Sequence, residues 1–335
     1  MNIVSFNDIG SEKWDTFCAR EPEAWVRHTA SYLKFVRTLG AHPIDHSFGV
    51  TIHDELVAVV PLVSYESQNG RTLDMDDAVP FPAFAAHLLD SDRGAVINRV
   101  FKHIDDISAK AGVGRLIMFV DPLARPYVQN PMIGLQFTHT SMATSIVNLT
   151  EDENILLAHI QQRKRRYIQA THGRAYEFFF YDAHTITPDV CQAFERLYRE
   201  DAGRVIGTPA RWRETWELVR AGLHELMLVR ASDDANYCGG HVLLTYKQRA
   251  YDHLLVRAPR YHGDNRLGPI MHWAMVTHFK GLGYERLEIG RLLFGDGSYS
   301  QKELEIAHFK AVLGGTPVPV WWGEKQYVKT DSMCI

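Results

Sequence analysis

The stretch Tyr251–Lys310, YDHLLVRAPRYHGDNRLGPIMHWAMVTHFKGLGYERLEIGRLLFGDGSYSQKELEIAHFK, decides how the rest of the chain is read. Tyr251 to Arg257 is an apolar-rich strand pattern, and Pro259, Gly263 and Asn265 mark the turn that follows. From Leu267 to Lys280 apolar residues recur at Leu267, Ile270, Met271, Ala274 and Met275, which is helical spacing. Gly281 and Gly283 stand where that helix stops, because glycine accepts the left-handed C-cap conformation without steric cost. Leu287 and Ile289 then alternate with Glu288 and Gly290 as a second strand. In a strand–turn–helix–strand unit of this order, the free N–H groups of the helix start face whatever fills the turn, a place suited to an anion.

Moving outward, a chain of 335 residues, 46% hydrophobic and 23% charged, has the composition of a soluble globular protein of one to three domains. A net charge of −4 argues against a dedicated nucleic-acid binder while leaving room for a local basic patch. Cys18, Cys191, Cys238 and Cys334 form neither a CxxC pair nor a disulfide framework, which fits a reducing compartment. The N-terminus lacks the basic-then-apolar pattern of a signal peptide, and no apolar run approaches the roughly 20 residues of a membrane span. The expectation is a cytoplasmic protein.

Helices are expected at Ser11–Ala19, Thr29–Leu39 and Gly94–Lys110, and strands at Ser47–Ile52, Leu56–Ser64 and Leu116–Val120. The proline- and aromatic-rich Ala78–Phe84 reads as a connector or a pocket wall. The pattern helix, Gly-x-Gly, apolar strand occurs twice, as AKAGVGRLIMFV and as FKGLGYERLEIG, which suggests two domains of one class. Their junction is placed at Asn148–Asp152, where Thr150 and Glu153 have capping-box spacing before a helix expected over Glu153–His172. The four-residue basic run of that helix includes Arg165 and Arg166, and is either a solvated face or a clamp for phosphates. A strand from Ala175, helices at Asp189–Asp201 and Pro209–Ala221, and a three-strand antiparallel meander follow, with Val318–Gly323 as a closing strand.

The ordered set Leu267-Gly268-Pro269, Gly281/Gly283, Leu287-Glu288-Ile289-Gly290-Arg291, then Phe309-Lys310 with Gly314-Gly315, resembles the donor-binding core of the GNAT fold. Within that fold it is most similar to the Fem family of aminoacyl transferases, which build peptidoglycan bridges, and the resemblance covers most of the C-terminal half. It implies an α/β (α+β) class with tandem GNAT-like acyltransferase domains, mixed and mostly antiparallel sheets being flanked by helices. The domains would span 1–149 and 150–330, the second binding the donor. The implied activity is transfer of an aminoacyl or other activated acyl group to an amine of a peptidoglycan precursor or peptide-like acceptor. A CoA-dependent N-acyltransferase and a non-catalytic binding module are the alternatives.

Such a transfer needs a held donor, a deprotonated amine and stabilisation of the oxyanion. The resemblance implies that Lys310 contacts phosphate or the developing charge. Glu288, pointing opposite to Leu287 and Ile289, could orient the amine or accept its proton, or form a structural salt bridge. Arg291 could bind the same anion or pair with Glu288. Arg260, Tyr261, His262, Gly263 and Asp264 lie in the turn facing the helix start, and Tyr251 and His253 are taken as the cleft-facing pair of the preceding strand.

Acetyl-CoA-dependent GNAT proteins carry Gln/Arg-x-x-Gly-x-Gly/Ala in the turn. Here Asn265 replaces the second glycine and Asp264 adds a repelling charge, which favours an aminoacyl-tRNA-type donor over acyl-CoA. No tightly bound cofactor is expected. There is no H-E-x-x-H, Walker or dinucleotide motif, and no metal site is expected. A net-negative protein would hold tRNA through a confined basic patch with steep salt dependence.

Overall fold

The computed structural model describes residues 1–68, 70–74, 78–123, 129–170, 176–204, 207–293 and 299–327. The expected helix end at His172, the strand start at Ala175 and Cys334 lie outside them. The chain divides into two compact units, Met1–Ser141 with Val320–Ile335, and Met142–Pro319.

The first unit contains β1 (Asn2–Ser5), α1 (Phe6–Ile9), α2 (Ser11–Arg20), α3 (Ala30–Val36), β2 (Ala41–Asp45), β3 (Phe48–Ile52), β4 (Glu55–Val60) and β5 (Val63–Ser67). It continues through β6 (Gly70–Leu73), β7 (Val79–Pro80), β8 (Ala83–Phe84), α4 (Asp90–Ala111) and β9 (Val113–Phe119). One antiparallel sheet runs β1-β3-β4-β8. The expected single strand Leu56–Ser64 is two strands, β4 and β5, because Pro61 has no N–H to donate to a continuous ladder.

The second unit is built on β10 (Thr138–Asn148), whose first residues belong to the first unit, α5 (Glu153–His159), α6 (Gln162–Ala170), β11 (Tyr176–Tyr181), α7 (Pro188–Ala202), α8 (Pro209–Arg220), β12 (His224–Ala231) and β13 (Tyr237–Tyr246). Then come β14 (Arg249–Arg257), α9 (Leu267–Gly281), β15 (Arg286–Leu292), α10 (Gln301–Ala311) and β16 (Thr316–Gln326), whose last residues belong to the first unit. Its sheet runs β11-β12-β13-β14-β15-β10, antiparallel except for the parallel pair β14–β15.

Two local expectations are corrected. The helix expected over Glu153–His172 is broken at Ile160, which is extended and buried while the Gln161 N–H donates to the Val312 carbonyl. Asp152, not Thr150, occupies the N-cap of α5, and the Thr150 hydroxyl donates to Asn148 Oδ1 instead.

The sheet carries a core on each face. Leu243, Ala250, Leu287 and Ile289 pack under Leu267, Met271, Met275 and Phe279 of α9. Leu226, Leu228, Val242 and Val256 pack under Phe194, Leu197 and Trp216 of α7 and α8. Burial on both faces suits these strands, whose apolar residues alternate between the two cores. The repeated sequence pattern is also a repeated topology. Gly112 and Gly283, at φ +65° and +79°, end α4 and α9. Each helix delivers a strand that is parallel to one neighbour (β9 to β6, β15 to β14) and antiparallel to another (β9 to β16, β15 to β10).

Candidate active site

The site begins where two strands part. β14 and β15 pair only from Arg249↔Arg286 to Tyr251↔Glu288, beyond which β14 stays with β13 and β15 with β10 and the two part. The next residue on β14 is Asp252, and Gly290 on β15 lies just past the last paired position. Into this fork reaches Lys310 of α10, whose Nζ donates to Asp252 Oδ2 at 2.7 Å. The second carboxylate oxygen, Asp252 Oδ1, accepts from His241 Nε2 on β13 at 2.6 Å. Gly290 has φ +94°, and a methyl group built on it would collide with Lys310 Nζ and lie 2.9 Å from Asp252 Oδ2. Only glycine combines that conformation with that vacancy.

Electrostatics keep Asp252 ionised. Burial pushes the Asp252 carboxyl upward, but the Lys310 ammonium and His241 outweigh it and hold the group well below the usual carboxylate range. His272, whose Nε2 donates to the Leu313 carbonyl at 3.0 Å, is pushed down to about 4 by burial and stays neutral.

A recess of about 650 Å³ opens at the turn before α9, lined by Tyr167, Arg260, Tyr261, Gly263, Asp264, Asn265 and Arg266. Asp234 takes two N–H bonds from Arg260, at 3.0 and 2.9 Å, and the Tyr261 hydroxyl at 3.1 Å. Asp264 accepts the Arg266 backbone N–H at 2.9 Å, its guanidinium at 2.9 and 3.0 Å, and the Tyr176 hydroxyl at 3.0 Å. These bonds, with Arg266 foremost, lower the Asp264 carboxyl to about 2. The repelling charge expected at Asp264 is therefore matched by its own neighbour.

α6 packs against α9 and contributes Tyr167 to the wall of this recess. Lys164 Nζ stands 5.9 Å from the Tyr167 ring and 5.6 Å from the Phe309 ring, and the Phe309 ring covers the start of α9 at Gly268. Recess, basic helix and fork are thus linked through Tyr167, Lys164 and Phe309, the neighbour of Lys310.

Of the residues singled out from the sequence, Arg260, Tyr261 and Gly263 line the recess and Lys310 enters the fork. Glu288 does not meet Lys310; it faces away from the α9 core and accepts a bond from Thr144 Oγ1. Arg291 is exposed, with a guanidinium nitrogen 3.4 Å from the Met142 sulfur. Tyr251 is buried at the last paired position, and the His253 ring lies 5.7 Å from that of His224. Arg165 donates to the Ala158 carbonyl at 3.2 Å, and Arg166 is exposed on α6. His262 bonds Asp201 at 2.7 Å. Asp252, His241 and Arg266 were not singled out, and Gly290 was read only as part of the Leu287–Arg291 motif. An ionisable residue inside each of two apolar strand runs, at His241 and Asp252, was the available signal.

Residues 158–303 match the acetyltransferase (GNAT) domain family. This segment is a GNAT-type acyltransferase domain. It contains the recess, the fork strands and Asp252, while Lys310 follows seven residues beyond it on α10. The fold is that of tandem GNAT proteins and of Fem-like transferases. FemX is 12% identical, with 96% of this chain and 97% of that chain covered and a TM-score of 0.69. The C-terminal domain of a putative lysylphosphatidylglycerol synthetase from Agrobacterium fabrum is 11% identical, covering 94% and 90%, at 0.60. A tandem GNAT protein from the clavulanic acid biosynthesis pathway is 14% identical, covering 98% and 99%, at 0.59. No match was found among curated proteins. Among the described residues no helix is long and apolar enough to cross a membrane, and no group of His, Cys, Asp and Glu is arranged to hold a metal ion.

The recess also predicts an acid response. The Asp264 carboxyl is depressed in the folded protein, from 3.8 to about 2, so its contribution to stability is present above about pH 4. It is lost as pH falls toward 2, because the unfolded chain takes up the proton first. Urea midpoints measured from pH 5 to pH 2 should fall less steeply for Asp264→Asn than for the parent. Parallel profiles would dismiss the Asp264–Arg266 pair as a stabilising contact.

Proposed function

We propose that the protein transfers an aminoacyl group from an aminoacyl-tRNA-type donor to an amine of a peptidoglycan precursor or similar peptide-like small acceptor. The observation that carries this reading is the closed start of α9. A CoA pyrophosphate would need the bare amides of this turn. Here Asp264 already accepts the Arg266 N–H, and the Phe309 ring lies against Gly268, 2.8 Å from where a Cβ would stand. What remains for a phosphate is side-chain charge on the adjoining helix, Arg165 and Arg166, because Arg260 and Arg266 in the recess are already paired with Asp234 and Asp264. Guanidinium forks grip phosphate oxygens without requiring a glycine-lined turn. Likeness in fold to a putative synthetase of a lysyl-bearing lipid fits an aminoacyl cargo.

The acceptor nitrogen adds to the ester carbonyl, the C–O bond to the carrier breaks, and the proton lost by the amine ends on the released hydroxyl. Lys310 offers N–H groups to the oxyanion or the leaving oxygen, where a preorganised cation contributes most. An activated ester needs no covalent enzyme intermediate. Cys191 and Cys238 suit that role poorly, since burial pushes both thiols up to about 11. No tightly bound cofactor enters the scheme. The cytoplasm, where aminoacyl-tRNA is made, is the proposed compartment.

The test offers radiolabelled aminoacyl-tRNA and acetyl-CoA side by side to a lysine-bearing stem pentapeptide and measures amide product. Product from aminoacyl-tRNA alone is expected, with binding that weakens steeply as salt rises and weakens further in Arg165→Glu/Arg166→Glu. Product from acetyl-CoA alone replaces this reading with CoA-dependent N-acylation. Failure of both donors across varied acceptors overturns the transfer reading.

A further inference from the structure

The geometry points to Asp252 and His241 as positioning residues that hold the Lys310 ammonium aimed into the fork, a role that rests on the reading of Lys310 above. The three side chains form a line running inward, 20% exposed at Lys310, 17% at Asp252 and 1% at His241. An ammonium has three N–H groups. Asp252 takes one, and among the described residues no other acceptor meets Lys310 Nζ, so two are left for a ligand. Asp252 is itself immobilised from behind. With one oxygen on Lys310 and the other on His241, its plane cannot turn without breaking a charge-assisted bond.

His241 shows that this support has a cost. A carboxylate only accepts, so Nε2 carries the hydrogen, and Nδ1 is left buried with no partner among the described residues. A buried unpaired nitrogen is unfavourable, and an apolar side chain on β13 would avoid it. What His241 supplies in return is the hydrogen bond that holds Asp252. Asp252 does not serve as the proton acceptor of the reaction, since its carboxyl is held ionised far below neutrality. Its part is orientation: α10 brings the lysine, Gly290 leaves the gap it passes through, and the β13–β14 pair fixes where the charge ends.

The first readout needs no substrate. In lysine-15N-labelled protein at neutral pH, the Lys310 ammonium should give a protected N–H signal, identified by its absence in Lys310→Met. That signal should vanish in Asp252→Asn and weaken in His241→Asn; persistence in Asp252→Asn overturns the proposal. The second uses aminoacyl-tRNA and the stem pentapeptide. Asp252→Asn should lower kcat about 10- to 100-fold, the range for removing an outer partner of a functional group, with KM for the donor little changed. In a Lys310→Ala background the same change should cost nothing further. Ethylammonium should partly restore Lys310→Ala, but not Lys310→Ala/Asp252→Asn. A further loss in the double variant, or equal rescue of both, overturns the proposal. If Asp252→Asn does not fold, His241→Asn takes its place under the same criteria. Full activity in Lys310→Ala would instead defeat the reading of Lys310 itself, whatever the ammonium signal shows.

Discussion

Lys310→Ala is expected to lower the rate of acyl transfer on the order of 10²-fold, the size of effect seen when one preorganised donor to a developing oxyanion is removed. The expectation rests on where the ammonium sits. It lies at the parting of β14 and β15, with one N–H on Asp252 and two free of protein acceptors among the described residues. The fold should persist, because the first half of α10 is exposed and Ala307 is its buried residue. Some stability should still be lost, since Asp252 would keep only His241 as a partner, and a nearly buried charge is costly to leave half-paired. Lys310→Met preserves more of the packing and separates the two effects: it should fold about as well as the parent and remain slow. A kcat equal to the parent's in both variants would remove Lys310 from the site.

Gly290→Ala should approach the loss of Lys310→Ala without touching any charged group. Two penalties fall on this position. A side chain at φ +94° is strained, by roughly 1–2 kcal/mol. The added methyl also lands on Lys310 Nζ and crowds Asp252. Gly283→Ala is the matching control: its φ is +79°, but nothing lies within 4 Å of the added carbon. Both variants should show a lowered thermal midpoint from backbone strain, and only Gly290→Ala should lose kcat. Should Gly290→Ala turn over as fast as Gly283→Ala, the passage of Lys310 through that gap would have no catalytic importance.

The difference between what the sequence shows and what the structure adds can be traced to particular residues. The helix Leu267–Gly281 and its glycine stop were legible because helical periodicity and left-handed caps are local properties. The repeat of helix, glycine and strand was legible for the same reason. In the triplet Tyr251-Asp252-His253, strict alternation points to Tyr251 and His253 as one face. The register shift between Val242 and Leu243, which sets Asp252 opposite Leu243, arises from the pairing of β13 with β14 and cannot be seen in β14 alone. Asp264 looked like a repelling charge because a sequence shows formal charge but not the guanidinium folded back onto it two residues later.

The sequence by itself determined the class of fold, the repeat of helix, glycine stop and strand, and the turn with its arginines. Each of these depends on short-range spacing that every copy of the chain carries before it folds. Only the tertiary structure decided which groups share a site. Lys310 meets Asp252 from 58 positions further along the chain, and Asp252 meets His241 across a strand pair. Gly290 matters because another element passes through the space its missing side chain leaves. Charge pairing at 2.6 to 2.7 Å depends on where separate backbones come to rest, and that is set by the packing of the whole unit.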